Sequence, residues 1–110
     1  MASFFRTKVE KDIGTTPVDV LVTSPASRFT LIGCNLANTT DDPVIVDVTI
    51  TDSSSVTGYY IKQLIIEPYT SAKLVTNGEK IILAEETTMT IVSDTAASID
   101  MVASYAEITG

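Results

Sequence analysis

Few side chains in this sequence could do chemistry. The chain has 110 residues with 14 Asp and Glu, one Cys and no His. Carboxylates gather at Asp41-Asp42, Asp47, Asp52 and Glu85-Glu86, where they could in principle hold calcium or act as an acid/base pair. A helix-loop-helix calcium site needs alternating oxygen ligands, a glycine at the turn and a distal glutamate, and this spacing supplies none of that. A two-carboxylate glycosidase would need a cleft with a sugar-stacking surface, and the chain has no Trp. Without His there is no Ser-His-Asp or Cys-His nucleophile and no imidazole acid–base work. One cysteine makes neither a structural zinc site nor an intrachain disulfide. The carboxylates are expected to be solvated turn residues, and no catalytic residue, metal ligand or cofactor is assigned. The chain is not expected to be an enzyme.

Cys34 itself is expected in a strand, sharing one face with Thr30, Ile32 and Leu36, as a small buried thiol among aliphatics. Asn38-Thr39-Thr40 fits the glycosylation sequon, but the start "MASFFRTKVEKDIG" has no secretory pattern, so the triplet reads as a turn.

Elements must hold these residues, and the composition says which kind. Hydrophobic residues make up 45% and charged residues 19%, a balance suited to one globular unit. The formal net charge is −7, which disfavours general binding to phosphate backbones, so no nucleic-acid partner is expected. No apolar run approaches the roughly 18 residues a membrane helix needs, so no membrane partner is expected either. Arg6, Lys8 and Lys11 put three of the seven basic residues near the start. They read either as a docking arm for an acidic surface or as a solvated first strand.

The dominant period is two, the period of a half-buried strand. Val44, Val46, Val48 and Ile50 alternate with Ile45, Asp47 and Thr49. Val18, Val20 and Val22 alternate with Asp19, Leu21 and Thr23; Ile99, Met101, Ala103 and Tyr105 alternate with Asp100, Val102, Ser104 and Ala106. "RFTLIGCNLAN" is apolar on both faces and is expected to be central. Asn77-Gly78 fits a two-residue hairpin turn that would set Leu74 opposite Ile81 and Ala72 opposite Leu83. "GYYIKQLII" and "TMTIVS" supply two more strands. Turn clusters separate the runs, and all four prolines fall at their edges.

These runs predict an all-β fold, an antiparallel β-sandwich or small jelly roll of about eight or nine strands. Residues 15–110 form one sandwich domain, preceded by residues 1–14 as an N-terminal arm or edge strand. Adjacent residues of a strand face opposite ways, so one of Phe4 and Phe5 is exposed unless a partner or the sandwich itself covers it.

The order of the runs resembles the short β-sandwich virion structural proteins of tailed bacteriophages, of the cyanophage type. The resemblance runs over residues 13–109. It rests on "VLVTSPAS" leading into "LIGCNLANTT", then "VIVDVTITD", Tyr60, "IIEPYTSAKLV", "GEKIIL" and "TIVSDTAASIDMVASYAEI". Such proteins usually carry Pro-Ala-Gly before the third strand, where this chain has Pro25-Ala26-Ser27. They often carry Gly-Asp before the penultimate strand, where it has Glu85-Glu86. Both departures change turn chemistry and leave the core pattern intact.

The resemblance implies a non-enzymatic subunit of the virion, synthesised in the host cytoplasm. The expectation is a capsid decoration or cement subunit that binds the major capsid protein or other virion proteins and forms a homo-oligomer. The alternatives are a neck, collar or tail-associated subunit and, from another class, a soluble sandwich binding sugar or calcium. Phe4, Phe5, Arg6 and Lys8 are the expected partner contacts.

Overall fold

A computed structural model describes residues 2–75 and 79–109. Among them are nine strands: β1 (Ala2–Ile13), β2 (Val18–Val22), β3 (Ser27–Asn38), β4 (Val44–Thr51), β5 (Thr57–Ile66), β6 (Ser71–Lys73), β7 (Ile81–Leu83), β8 (Thr88–Ser93) and β9 (Ile99–Thr109). They form two antiparallel sheets. One has the order β1-β9-β3-β6, with β7 also on β3; the other has the order β2-β8-β4-β5.

The wiring follows from one long hairpin. β1 pairs with β9, β2 with β8, β3 with β6 and β7, and β4 with β5 around the Asp52–Val56 turn. Rolling that double ribbon brings β9 onto the free side of β3 and β8 onto the free side of β4. This is a jelly roll.

The alternating residues fill the space between the sheets. Val44, Val46 and Val48 of β4 meet Met89 and Ile91 of β8, Ile99 and Met101 of β9, and Leu31 and Leu36 of β3, all without exposed surface. Each fully buried aliphatic of this kind contributes about 1.5–3 kcal/mol.

Polar clasps tie the strand ends. At one end the buried Asn38 amide donates to the carbonyls of Asp42 (2.8 Å) and Ile66 (2.9 Å), while its Oδ1 accepts the Thr40 N–H at 2.9 Å. Beside it the Ser98 hydroxyl donates to Thr95 O at 2.7 Å. Gly14 lies so close to this corner that a Cβ would sit 2.8 Å from the Ala97 nitrogen, which only glycine allows. At the other end Thr23 Oγ1 donates to Ala84 O at 2.6 Å and accepts the Thr87 N–H at 2.7 Å.

Three expectations need correction, the first two because a strand bulges. β3 shifts register against β9 between Leu31 and Gly33, so Leu31 and Cys34 both point inward. Thr30 and Ile32 therefore do not share a face with Cys34, and Ile32 is exposed. β2 shifts between Asp19 and Leu21, which turns Leu21 in and Val22 out.

The third correction concerns the hairpin. The Asn77-Gly78 turn lies outside the described residues, but its flanking strands do not face each other. β6 pairs with Asn35–Ala37 and β7 with Phe29–Leu31, end to end along one edge of β3. Both pieces gain β3 as a partner strand. The expected inward face survives, with Leu74, Ile81 and Leu83 buried and Ala72 packed on the core.

Candidate assembly surface

β1 is the outermost strand of its sheet, and its alternation divides the expected contact residues between two faces. Its register with β9 is unbroken from Ala2 to Glu10. Phe4, Arg6, Lys8 and Glu10 lie beside Glu107, Tyr105, Ala103 and Met101 on the side facing the second sheet. Phe5, Thr7 and Val9 lie beside Ala106, Ser104 and Val102 on the outer side.

β1 meets the second sheet at β2 and β8. β2 has five residues against twelve in β1, so much of the inward side of β1 has no cover. That is why charges can stand there. Arg6 Nε donates to Glu107 Oε1 at 2.9 Å, and its guanidinium lies 5.0 Å from the centre of the Phe4 ring. Lys8 Nζ lies 3.3 Å from Glu10 Oε1. These pairs are exposed and hold side chains in place more than they stabilise the fold. Deeper in, Phe29 and Tyr105 stack with ring centres 4.5 Å apart.

On the outer side Phe5 is 88% exposed. It heads a row across the sheet through Ala106 and Thr30 to Ile82. A second row runs from Val9 through Val102 to Asn35. With Ile32 exposed between them, these rows make a largely apolar group, bordered on the same face by Lys73 beside Asn35, Arg28 beside Ile108 and Asp100 beside Ala37. Lone exposed apolar residues are ordinary; a contiguous apolar group is the kind of surface that partners cover. Sequence reading found Phe5 but missed Val9, Ile32, Ile82 and Val102. They come together only through the register of four strands, although apolar residues on both faces of "RFTLIGCNLAN" were a partial signal.

The groups weighed for chemistry are spread over the molecule. Asp47 Oδ1 accepts the Gln63 N–H at 2.7 Å and Asp52 Oδ1 accepts the Ser54 N–H at 2.9 Å. Glu85 lies 4.0 Å from Arg28. Among the described residues no three Asp, Glu or Cys side chains are placed to hold a metal ion. Cys34 is buried, and desolvation pushes its thiol from an ordinary 9.0 up to about 12. Asn38 uses its side-chain amide inside the clasp. A depression of about 270 Å³ lined by Asp12, Gly14, Thr15, Thr16, Val18, Ala96 and Ala97 offers one ionisable group. That falls short of the several convergent polar groups of a small-molecule site.

No family model matches the sequence, and no curated protein matches it. Solved structures do share its fold. A chain from the disulfide-linked pili of Bacillus endospore appendages superposes with a TM-score of 0.59 at 13% identity, covering 98% of this chain and 87% of that one. A chain of the T13 IBDV particle gives a TM-score of 0.54 at 13% identity over 98% of this chain and 31% of its own. A chain from the acid-stable capsid of Helicobacter pylori bacteriophage KHP30 gives 0.50 at 7% identity, covering 97% of this chain and 87% of that one. The jelly roll described above is thus a fold that phage and virus capsid chains share.

Proposed function

We propose that this chain is a structural subunit of a virus particle, a decoration or cement protein on the head that is used in many copies and binds the major capsid protein. The observation that carries the reading is β1, a twelve-residue edge strand whose Phe5 is 88% exposed beside a largely apolar group on the sheet face. An edge strand offers unpaired backbone groups for strand addition, and an apolar residue beside it offers a side-chain anchor. The fold shared with a phage capsid chain supports the virion as the setting. Phe4, Phe5, Arg6 and Lys8 are the proposed contacts. The disulfide linkage named for the Bacillus appendages has no counterpart on this chain, whose single cysteine is buried.

The test is mass spectrometry of gradient-purified particles of the virus that encodes the chain. A copy number comparable to that of the major capsid protein supports head decoration. A copy number far below it moves the subunit to the neck, collar or tail. Absence from the particles overturns the reading.

A further inference from the structure

We propose that β1 pairs with β1 of a second copy, antiparallel about a two-fold axis at Val9, so that the two sheets bearing Phe5 become one continuous sheet. This rests on reading β1 as the contact strand; self-pairing takes up its open edge and leaves the exposed face bearing Phe5 for the capsid contact.

The sheet edges differ in their capacity to pair. β2 is five residues long and breaks register between Asp19 and Leu21. β5 breaks register twice against β4, and Gln63 within it has a φ of 58°. β6 and β7 are separated between Lys73 and Ile81. β1 keeps one register from Ala2 to Glu10, and its positive φ comes only at Asp12. Bulged and short edges resist pairing; a long regular one invites it. Among the described residues β1 pairs with β9 alone, so its other edge is open.

The sequence of β1 is complementary to itself. Antiparallel pairing centred on Val9 sets Lys8 opposite Glu10 of the partner subunit and Glu10 opposite Lys8 of the partner subunit within the regular stretch, and sets Arg6 opposite Asp12 of the partner subunit where each strand begins to bend. Lys8 and Glu10 stand on one side of the strand and lie 3.3 Å apart in the single chain, so the four charges would alternate in sign. On the other side Val9 meets Val9 of the partner subunit next to the two Val102 side chains. Other registers are penalised. A shift of one residue sets Lys8 or Arg6 opposite Lys11, and turns each side chain to the wrong face. A shift of two sets Lys8 on Lys8, with Arg6 opposite Glu10 of the partner subunit, or Glu10 on Glu10, with Lys8 opposite Asp12 of the partner subunit; each such register contains a like-charge pair that the Val9 register lacks. Opposite charges directly across a strand pair stabilise it, and like charges oppose it. Arg6, Lys8 and Lys11 against Glu10 also make this the least acidic stretch of a chain of net charge −7, which lessens repulsion between two copies.

The experiment is light scattering coupled to size exclusion on the wild type, Lys8→Glu, Glu10→Lys and an equimolar mixture of the two variants. The wild type is expected at twice the mass of the single chain. Each variant alone sets like charges opposite each other twice, and its dissociation constant is expected to rise about tenfold or more. The mixture restores both opposite-charge pairs across the interface without restoring the ion pair inside either chain, so it is expected to regain the wild-type mass. A wild type that stays monomeric at all concentrations overturns the proposal, as does a mixture that behaves like the sum of its parts. If the wild type is monomeric but Lys8→Glu still weakens attachment to particles, β1 contacts another virion protein. Self-pairing then fails while the proposed function stands.

Discussion

β1 and β5 are the outer strands of the two sheets, ten or more residues long, and they treat their open edges differently. β5 carries both extra residues of its bulges against β4, and the Asp47 carboxylate holds one bulge by accepting the Gln63 N–H. At its second bulge the Tyr60 hydroxyl donates to Leu74 O at 3.3 Å, while the side chain stays partly exposed. The edge is bent by its two bulges. β1 is straight through Glu10 and fastened to the core by one buried side chain, Ile13, which lies beyond its own register break. One edge is closed by irregularity; the other is kept regular and exposed. A chain with no evident need for an open edge would have blunted both.

Removing the anchor of β1 should break the comparison most severely. Ile13→Ala empties a buried site and is expected to cost about 2–5 kcal/mol in urea unfolding. A loss under about 1 kcal/mol would mean that β1 is held elsewhere.

The core between the two edges should be shut. Native Cys34 is expected to resist a thiol reagent that titrates it fully after unfolding. Burial favours its neutral form, so the folded chain holds the proton more tightly than the unfolded one. Stability from this source is intact below pH 9 and falls as pH rises towards about 12, an alkaline loss that Cys34→Ala should reduce. Rapid modification of the native thiol would contradict the packing described.

On the closed edge, Asp47→Ala removes the carboxylate that holds the β5 bulge, and a loss of about 1 kcal/mol is expected, with faster amide exchange at Gln63. Unchanged exchange there would show that the bulge is held without Asp47. The smallest effect on stability belongs to the open edge. Phe5→Ser is expected to stay within about 0.5 kcal/mol of the parent by urea unfolding while weakening assembly. A large loss of stability would mean that Phe5 serves the fold of its own chain.

The fold was legible where alternation is regular. β4 and β9 read correctly residue by residue, because both keep a strict inward face of valine, isoleucine, methionine and alanine. Reading failed at bulges. Nothing in "TLIGC" or "VDVLV" announces that one residue slips out of the ladder, yet that slip decides whether Ile32 or Leu21 is buried. Asn77-Gly78 suggested a local turn, whereas the flanking segments satisfy their hydrogen bonds against β3, a partner some forty residues earlier that no local signal names. At the candidate site, the exposure of Phe5 followed from two adjacent phenylalanines on a strand. The apolar group around it did not, because Val9, Val102, Ile32 and Ile82 become neighbours only once four strands are in register. The complementarity of Lys8 and Glu10 was present in "RTKVEK" and gained meaning when β1 proved straight and open.

The most direct test of β1 as an assembly edge is hydrogen exchange of the wild-type chain, compared between dilute and concentrated solution. The account predicts that exchange at amides within Arg6–Lys11 slows with concentration while amides of β5 do not change. Equal exchange along β1 at both concentrations would contradict it.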